Sequence, residues 1–269
     1  MTRVVVITGA SDGIGAEMAR QLAAREGANV ALVLAARGAP LLDTVTGQCR
    51  ALGAQTLAVP ADMSVQDDCR RLIRAAMTRF GRIDVLINNA GRSAHALFEE
   101  VEDLGWYEEL MRVNLWGAVW CTQAALPHLK TARGSIVAVS SLAGVVGVPG
   151  RTAYCATKFA LSGFFDALRV ELRASGVSVT TAYPGVVATR IRYRGFNARG
   201  EQAGASALKE EKAMAVEDCA RLILAALDRR QREVVMTAQG KLGRWLKLIA
   251  PGVVDRMALN AVKDDLRPQ

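Results

Sequence analysis

Short apolar runs rich in β-branched residues alternate with longer segments of helical period, and this alternation constrains the fold more than any other feature. The runs are too uniformly apolar for a sheet with one face in water. Such strands indicate a parallel sheet covered by helices on both faces, because each crossover between parallel strands needs a helix-length connection. The seven predicted strands are Arg3–Thr8, Asn29–Ala35, Gln55–Val59, Asp84–Asn88, Ser135–Ser140, Val177–Ala182 and Glu233–Thr237.

The clearest of the intervening helices is predicted to start at Ser64, because Asp67 three residues later forms a pattern like a capping box. One apolar stripe then recurs at helical spacing, which indicates a face that packs on the sheet. The stripe consists of Cys69, Leu72, Ile73, Ala76 and Phe80. No internal repeat, linker or low-complexity tract interrupts the pattern, so we expect one α/β domain.

Cysteine content and charge exclude several classes of protein. The five cysteines are scattered and contain no C-x-x-C pair, so neither a disulfide framework nor a metal site is indicated. The formal net charge of +8 would suit nucleic acid, a phosphorylated cofactor or an anionic membrane. The basic residues are spread over helix faces, with no Lys/Arg block interleaved with aromatics, so we expect no nucleic-acid partner.

The hydrophobic runs are also too short for export or membrane insertion. None approaches the ~18 apolar residues of a membrane span. The apolar block at residues 4–7 is too short for the core of a signal peptide. We therefore expect a soluble, cytoplasmic protein.

The first predicted strand ends in Thr8-Gly-Ala-Ser-Asp-Gly-Ile-Gly15, with glycines spaced G-x-x-x-G-x-G. Glycines at a strand-to-helix turn permit a tight bend and leave main-chain N–H groups and the helix N-terminus facing an anion. A purely structural turn would need the same residues, so the turn alone leaves both interpretations open. Its position at the start of the chain, before a second strand and helix, favours a dinucleotide site.

The second predicted strand ends in Leu34-Ala-Ala-Arg-Gly38, where dinucleotide-binding folds distinguish a ribose hydroxyl from its phosphate ester. An acidic residue there would accept a hydrogen bond from the 2′-hydroxyl and repel a 2′-phosphate. Ala36 followed by Arg37 predicts the reverse, a preference for NADP(H), with NAD(H) as the alternative. Two considerations oppose this prediction: Arg37 could simply extend into water at a strand end, and Asp12 in the glycine turn would disfavour a phosphate.

Further motifs follow in order along the chain. They are Asp62 after the third strand, Asn88-Asn-Ala-Gly91 after the fourth, Asn114 in a helix, Ser141, Tyr154-x3-Lys158, and Pro184-Gly185 with Thr189. Together with the glycine turn, over residues 1 to about 240, they resemble the short-chain dehydrogenase/reductase family. The resemblance implies a Rossmann-type, doubly wound parallel sheet in a homodimer or homotetramer. We predict that residues 1–240 form the dinucleotide-binding and catalytic domain, and that residues 241–269 form an amphipathic extension of it.

Tyr154 and Lys158 lie four residues apart, which places both on one face of a helix. A phenol with an ordinary pKa of about 10 is too tightly protonated to act as a base near pH 7. A neighbouring ammonium favours the phenolate and so prepares Tyr154 to exchange a proton with a carbonyl or hydroxyl oxygen. The resemblance implies that Lys158 also holds the nicotinamide ribose and that Asn114 holds a water in the proton relay.

Ser141 precedes Tyr154 by thirteen residues, the usual gap in the family, and is predicted to donate a hydrogen bond to the substrate oxygen. Ser140 is the competing candidate, and otherwise lies at a strand end near the cofactor. The four predicted catalytic residues are therefore Asn114, Ser141, Tyr154 and Lys158.

The resemblance also implies which residues contact the cofactor. Thr189 and the backbone of Val187 would anchor the carboxamide, residues 89–91 would lie against the adenosine-side ribose, and Asp62 would lie by the adenine. The full predicted set is Gly9, Ser11, Asp12, Gly13, Ile14, Gly15, Arg37, Asp62, Met63, Asn89, Ala90, Gly91, Tyr154, Lys158, Pro184, Gly185, Val187 and Thr189.

Several features match no motif. His95 lies either at the substrate pocket or in an exposed loop, and His128 has a structural role. The arginine-rich segment 189–200 is either a solvated lid or a site for an anionic substrate. Residues 241–251 have the pattern of a short interfacial helix, which would contact another subunit, roof an apolar substrate pocket, or, through residues 241–257, touch a membrane.

These patterns predict an NADP(H)-dependent oxidoreductase that transfers a hydride between nicotinamide and a carbonyl or secondary alcohol. Its partner would be a small apolar or acyl-type molecule, as for a carbonyl reductase or alcohol dehydrogenase. The alternative is a non-catalytic dinucleotide sensor or partner-binding protein. The intact Ser-Tyr-Lys set favours the enzyme, because a protein that only binds would not need all three.

Overall fold

Seven parallel strands form one sheet in the order β3-β2-β1-β4-β5-β6-β7. The computed structural model describes residues 2–206, 208–209, 211 and 213–262. Every strand predicted from the apolar runs is present, with ends that differ by at most two residues. The strands are β1 Arg3–Thr8, β2 Val30–Ala36, β3 Gln55–Pro60, β4 Val85–Asn88, β5 Ser135–Val139, β6 Ser178–Tyr183 and β7 Glu233–Val235.

Helices cover both faces of this sheet, as the uniformly apolar strands predict. One core cluster joins the sheet to α1, α2 and α7, and a second joins its other face to α3, α5 and α6. The predicted Rossmann-type, doubly wound α/β fold is therefore confirmed. The helices are α1 Gly13–Glu26, α2 Ala39–Ala51, α3 Gln66–Phe80, α4 Gly105–Met111, α5 Gly117–Ala132, α6 Thr152–Glu171, α7 Val216–Asp228, α8 Ala238–Ile249 and α9 Pro251–Asn260.

The start of α3 differs from the prediction. The residue that precedes its first turn is Val65, whose side chain makes no capping bond. Ser64 is not the cap because its N–H and its hydroxyl both donate to the Asp62 carboxylate at 2.8 Å. The apolar stripe is correct: four members are buried and Phe80 packs against them.

The segment 189–200 packs against the protein over part of its length, while Arg190, Arg194 and Arg199 are exposed, so the lid remains a prediction. The N–H of Phe196 donates to the carbonyl of Ser93, and Phe196 forms a bridge with Ala94. Phe196 is buried and lies 5.5 Å from the Trp106 ring. Arg192, from the middle of the segment, is also buried.

Strand order reverses between β1 and β4, which opens a crevice at the carboxyl ends of these strands. This is where the predicted site residues converge. None of the described helices is both long and hydrophobic enough to pass through a bilayer. Residues 263–269 of the predicted C-terminal extension lie outside the described residues.

Candidate active site

The glycine turn after β1 packs directly against the turn after β4. Gly9 and Gly13 have positive φ angles of 67° and 55°. A Cβ on Gly9 would lie 2.8 Å from the Cα of Ala90, and one on Gly15 would lie 2.3 Å from the Gly9 carbonyl oxygen. Gly9 and Gly15 are therefore required by packing alone, so the structural interpretation of the turn holds at these two positions.

Thr8 joins the same two turns through hydrogen bonds. Its hydroxyl accepts from the N–H groups of Asn89 and Ala90, each at 3.0 Å. The Asn89 amide donates in return to the carbonyls of Thr8 and Gly9 at 3.0 and 3.1 Å. The floor of the crevice is thus held rigidly from both sides.

The crevice contains two adjoining chambers of about 380 and 640 Å³. The smaller is lined by the glycine turn together with Arg37, Asp62 and Met63. The larger is lined by Ser141, Tyr154 and Lys158. Five residues line both chambers: Ile14, Asn89, Gly91, Thr189 and Ile191.

The structure brings nearly all of the predicted site residues to these two chambers. The exceptions are Gly15, which lies behind Gly9, and Asn114. Asn114 is buried in a π-helical turn, Arg112–Trp116, that joins α4 to α5. Its side chain lies behind the chamber wall near Gly91, and its role in the proton relay stays a prediction.

Asn114 fastens the loop after β4 to α6. Its Oδ1 accepts from the Arg92 N–H at 2.7 Å, and its Nδ2 donates to the Arg92 carbonyl and to the Thr157 hydroxyl, both at 3.0 Å. Both amide hydrogens are therefore already used. A relay water could bind only to the second lone pair of Oδ1 or to the backbone carbonyl.

Tyr154 and Lys158 lie on the buried face of α6, as their spacing predicts. The Lys158 ammonium donates to the Val139 carbonyl at 2.9 Å and lies 5.7 Å from the centre of the Tyr154 ring. Burial lowers the pKa of Lys158, Tyr154 opposes this shift, and Arg151 adds to it. A cation thus sits behind a phenol that faces the large chamber.

Comparison with known proteins identifies the family. A family model described as short chain dehydrogenase matches residues 3–199. The chain belongs to the short-chain dehydrogenase family. It is 38% identical over 259 residues to "11-beta-hydroxysteroid dehydrogenase A" of Sesamum indicum, which covers 94% of this chain and 73% of that protein. It is 35% identical over 260 residues to "11-beta-hydroxysteroid dehydrogenase 1A" of Arabidopsis thaliana, with the same coverage.

Solved structures of short-chain dehydrogenases share the fold. An alcohol dehydrogenase from the archaeon Thermococcus sibiricus, complexed with 5-hydroxy-NADP, has a TM-score of 0.75 and 25% identity, covering 87% of this chain and 95% of that one. A short chain dehydrogenase/reductase from Burkholderia phymatum, in complex with NAD, has a TM-score of 0.80 and 24% identity, covering 94% and 95%. At this identity the second comparison supports the fold alone.

In this short-chain dehydrogenase the two candidate serines differ in their surroundings. Ser140 also lines the large chamber, but its hydroxyl is buried and lies 3.2 Å from the Lys158 carbonyl and 3.0 Å from the Ser162 hydroxyl. Ser141 is half-buried on the chamber wall, and its oxygen accepts from the Ala143 N–H at 3.2 Å. The hydroxyl hydrogen of Ser141 therefore remains available to a substrate oxygen.

We expect Ser141→Ala to lower turnover by about 10²-fold, because it removes a donor aimed at the reacting oxygen. Ser140→Ala should leave turnover within a few-fold and lower the free energy of unfolding by about 1 kcal/mol, because only internal hydrogen bonds are lost. Steady-state kinetics and thermal unfolding of the two variants compare these effects. A larger loss of turnover in Ser140→Ala would reverse the assignment.

The structure also shows an ion-pair partner for Asp12 that the sequence analysis did not identify. Arg194, from the segment 189–200, forms an ion pair with Asp12 at 3.1 Å. The other carboxylate oxygen of Asp12 accepts from the N–H of Gly13 at the start of α1. Asp12 is therefore paired with a cation, which weakens one of the two objections to a phosphate nearby.

His95 lies in neither of its predicted places. It is 9% exposed, so it is not an exposed loop residue, and it does not line either chamber. His128 is half-buried on α5. Among the described residues, no group of three or more His, Cys, Asp or Glu side chains is arranged to hold a metal ion.

The helices α8 and α9 wall the large chamber on one side. Gly243, Val254 and Met257 line it, which supports the pocket-roof interpretation for the inner face. The outer face carries apolar side chains that are between 54% and 80% exposed. These are Leu242, Trp245, Leu248 and Ile249.

Proposed function

We propose that this chain is an NADP(H)-dependent oxidoreductase that transfers a hydride between nicotinamide and a carbonyl or secondary alcohol of an apolar substrate. The observation that carries the proposal is the placement of Ser141 and Tyr154 on the wall of the large chamber, with the buried Lys158 ammonium behind the phenol. An internal ammonium beside a phenol is costly to bury and has a direct use in proton exchange.

The smaller chamber fits the adenosine and pyrophosphate part of a dinucleotide, whose nicotinamide would extend into the large chamber lined by Val187 and Tyr154. Gly13 has a φ of 55°, and a Cβ there would lie a tight 3.2 Å from the Thr189 side chain, at the point where the N-terminus of α1 faces the chamber. The glycine turn would hold the pyrophosphate, Asp62 and Met63 the adenine, and Thr189 with the Val187 backbone the carboxamide. When bound, the nicotinamide supplies or accepts the hydride.

The residues of the chain would handle the proton. The Ser141 hydroxyl donates to the substrate oxygen and meets the charge that develops there. The Tyr154 hydroxyl gives its proton to that oxygen in reduction and, as phenolate, removes a proton from it in oxidation. Lys158 stabilises the phenolate by its charge.

The walls of the large chamber favour an apolar substrate of considerable size. The chamber of about 640 Å³ would be shared with the nicotinamide, and the rest of it still suits a multi-ring molecule. The relatives named as hydroxysteroid dehydrogenases suggest a flat, steroid-like alcohol or ketone. The apolar wall residues include Leu142, Val145, Val146, Val148, Ile191, Val254 and Met257.

A panel of steroid ketones, aliphatic ketones, sugars and acyl thioesters, followed by NADPH absorbance, tests this proposal. We expect turnover of apolar ketones, and a loss of at least about 10²-fold with Tyr154→Phe. Tight NADPH binding without turnover of any compound, in either direction, would favour the non-catalytic sensor. The predicted cytoplasmic location and homo-oligomeric state remain predictions.

Cofactor preference depends on Arg37. This side chain is exposed at the end of β2, lines the small chamber, and has no ion-pair partner among the described residues. A guanidinium that is free of a carboxylate can form charge-assisted hydrogen bonds with a 2′-phosphate. Such bonds contribute about 1.5–3 kcal/mol each.

We therefore expect NADPH to bind about 10- to 100-fold more tightly than NADH, and Arg37→Ala to remove most of this difference. Asp12→Asn should change the ratio little, because Arg194 already offsets the charge of Asp12. Fluorescence titration of both cofactors measures the ratio. Arg199→Ala is the control, since Arg199 is on the surface and lines neither chamber. Equal affinities in the wild type, unaffected by Arg37→Ala, would reject the NADP preference.

A further inference from the structure

Arg151 is a buried cation that the proposed mechanism does not use. It directly precedes α6 and is 7% exposed. Its Nη2 donates to the Ser93 hydroxyl at 2.5 Å, while its Nε is buried and has no hydrogen-bond partner in the described part of the chain. Since a buried charge is costly without an opposite charge, the surroundings of Arg151 should contain one.

The guanidinium of Arg151 lies over the face of the Tyr154 ring, 4.2 Å from its centre. Lys158 approaches the same ring at 5.7 Å. A cation is attracted to the electron-rich face of an aromatic ring, and this attraction grows when the phenol loses its proton. Two cationic side chains therefore lie against one tyrosine ring.

Among the described residues, the groups that shift the pKa of Arg151 include no carboxylate. Burial lowers the pKa of Arg151, Tyr154 and then Cys155 oppose this shift, and Arg192 adds to it. Burial also raises the pKa of the Cys155 thiol, which keeps it neutral. The titratable and charged groups on the elements around Tyr154 are Cys155 and Lys158 of α6, Arg151 before it, His95, Tyr107 of α4, Arg192, Lys209 and Glu211.

We propose that Arg151 is a positioning residue for the reaction, whose guanidinium stabilises the Tyr154 phenolate together with Lys158. The inference rests on the proposed function, in which Tyr154 exchanges the proton. In this proposal, Arg151 sets the pH at which Tyr154 can act as a base. The Ser93 hydroxyl holds the guanidinium over the ring, and the Ser93 carbonyl is itself bound by Phe196 of the segment 189–200.

A direct titration of Tyr154 tests the inference without any substrate. The absorbance of tyrosinate is recorded against pH, and the same curve for the Tyr154→Phe form of each protein is subtracted to isolate Tyr154. We expect Arg151→Gln to raise the midpoint of this titration by about one to three pH units. Arg151→Lys, which keeps a positive charge, should raise it less. Arg169→Gln, on the same helix but bonded to Asp166 and Val179, should leave it unchanged.

The pH dependence of alcohol oxidation provides a second readout. In Arg151→Gln the acid limb of the rate profile should move to higher pH by as many pH units as the titration midpoint does. The rate should be largely recovered at high pH. A role confined to packing would lower the rate at every pH without moving the limb. If Arg151→Gln does not fold, Ser93→Ala replaces it and should produce a smaller shift in the same direction.

An unchanged Tyr154 midpoint in a folded Arg151→Gln protein would overturn the inference and leave the proposed function in place. A shifted midpoint in a protein whose wild type turns over no substrate would support the electrostatic role and reject the proposed function. The two failures are therefore distinguishable.

Discussion

Tyr154→Phe should lower turnover by about 10²- to 10⁴-fold, the usual contribution of a positioned proton donor. Tyr154 lines the large chamber, and Ser141, the other predicted donor on its wall, could not replace the phenol because an aliphatic hydroxyl is a poor acid. Because the phenylalanine ring can still pack beneath Arg151, the fold and the dinucleotide chamber should be preserved. NADPH affinity should therefore change by no more than a few-fold.

Single-turnover and steady-state rates with a good ketone substrate measure this loss, and fluorescence titration measures NADPH binding. Tyr107→Phe is a matched control, because its hydroxyl bonds Thr152 and lies outside both chambers. The assignment of Tyr154 would fail if its variant kept more than a tenth of the wild-type rate.

Lys158→Ala should harm both turnover and cofactor binding. Removal of the ammonium takes away a cation that favours the phenolate, which corresponds to about one to three pKa units and thus to about 10- to 1000-fold in rate near neutral pH. The same ammonium is predicted to hold the nicotinamide ribose, so NADPH should also bind more weakly. This double effect distinguishes Lys158 from Tyr154.

The Lys158→Met variant separates charge from packing, because its side chain fills the space beside Val139 without a positive charge. Rates, NADPH titration and thermal unfolding are compared for both variants. If Lys158→Ala and Lys158→Met lose turnover equally, and only Lys158→Met keeps the thermal stability of the wild type, the loss of turnover comes from the missing charge. Wild-type turnover in the Met variant would contradict the role of the ammonium.

The sheet could be read from the sequence because its strands are buried on both faces. The continuous apolar runs of the strands differ from the 3.6-residue hydrophobic period of the amphipathic helices. This difference is visible within a short stretch of sequence. The start of α3 could not be read in the same way. Ser64 has the chemistry of a cap, but a neighbouring carboxylate, Asp62, competes for its hydroxyl, and only the bend of the chain after β3 brings the two together.

The choice between neighbouring serines also needed the folded chain. Spacing favoured Ser141, but the reason is spatial: both serines line the large chamber, and the Ser140 hydroxyl is bonded to Ser162 and the Lys158 carbonyl, while the Ser141 hydroxyl hydrogen is free of such bonds. Likewise, the glycine turn could have served packing or ligand binding. Gly9 and Gly15 are required by backbone contacts, and Gly13 faces the opening beside Thr189.

The sequence by itself determined the order of the strands and helices, the family, and the residues that the motifs name, because local period and fixed gaps carry this information. The tertiary structure alone decided which charges meet. Arg194 pairs with Asp12 across 182 residues of chain, and Ser93, from the loop after β4, bonds the Arg151 guanidinium that lies over Tyr154. Such contacts depend on how loops from different strands converge at one edge of the sheet, and no local pattern encodes that convergence.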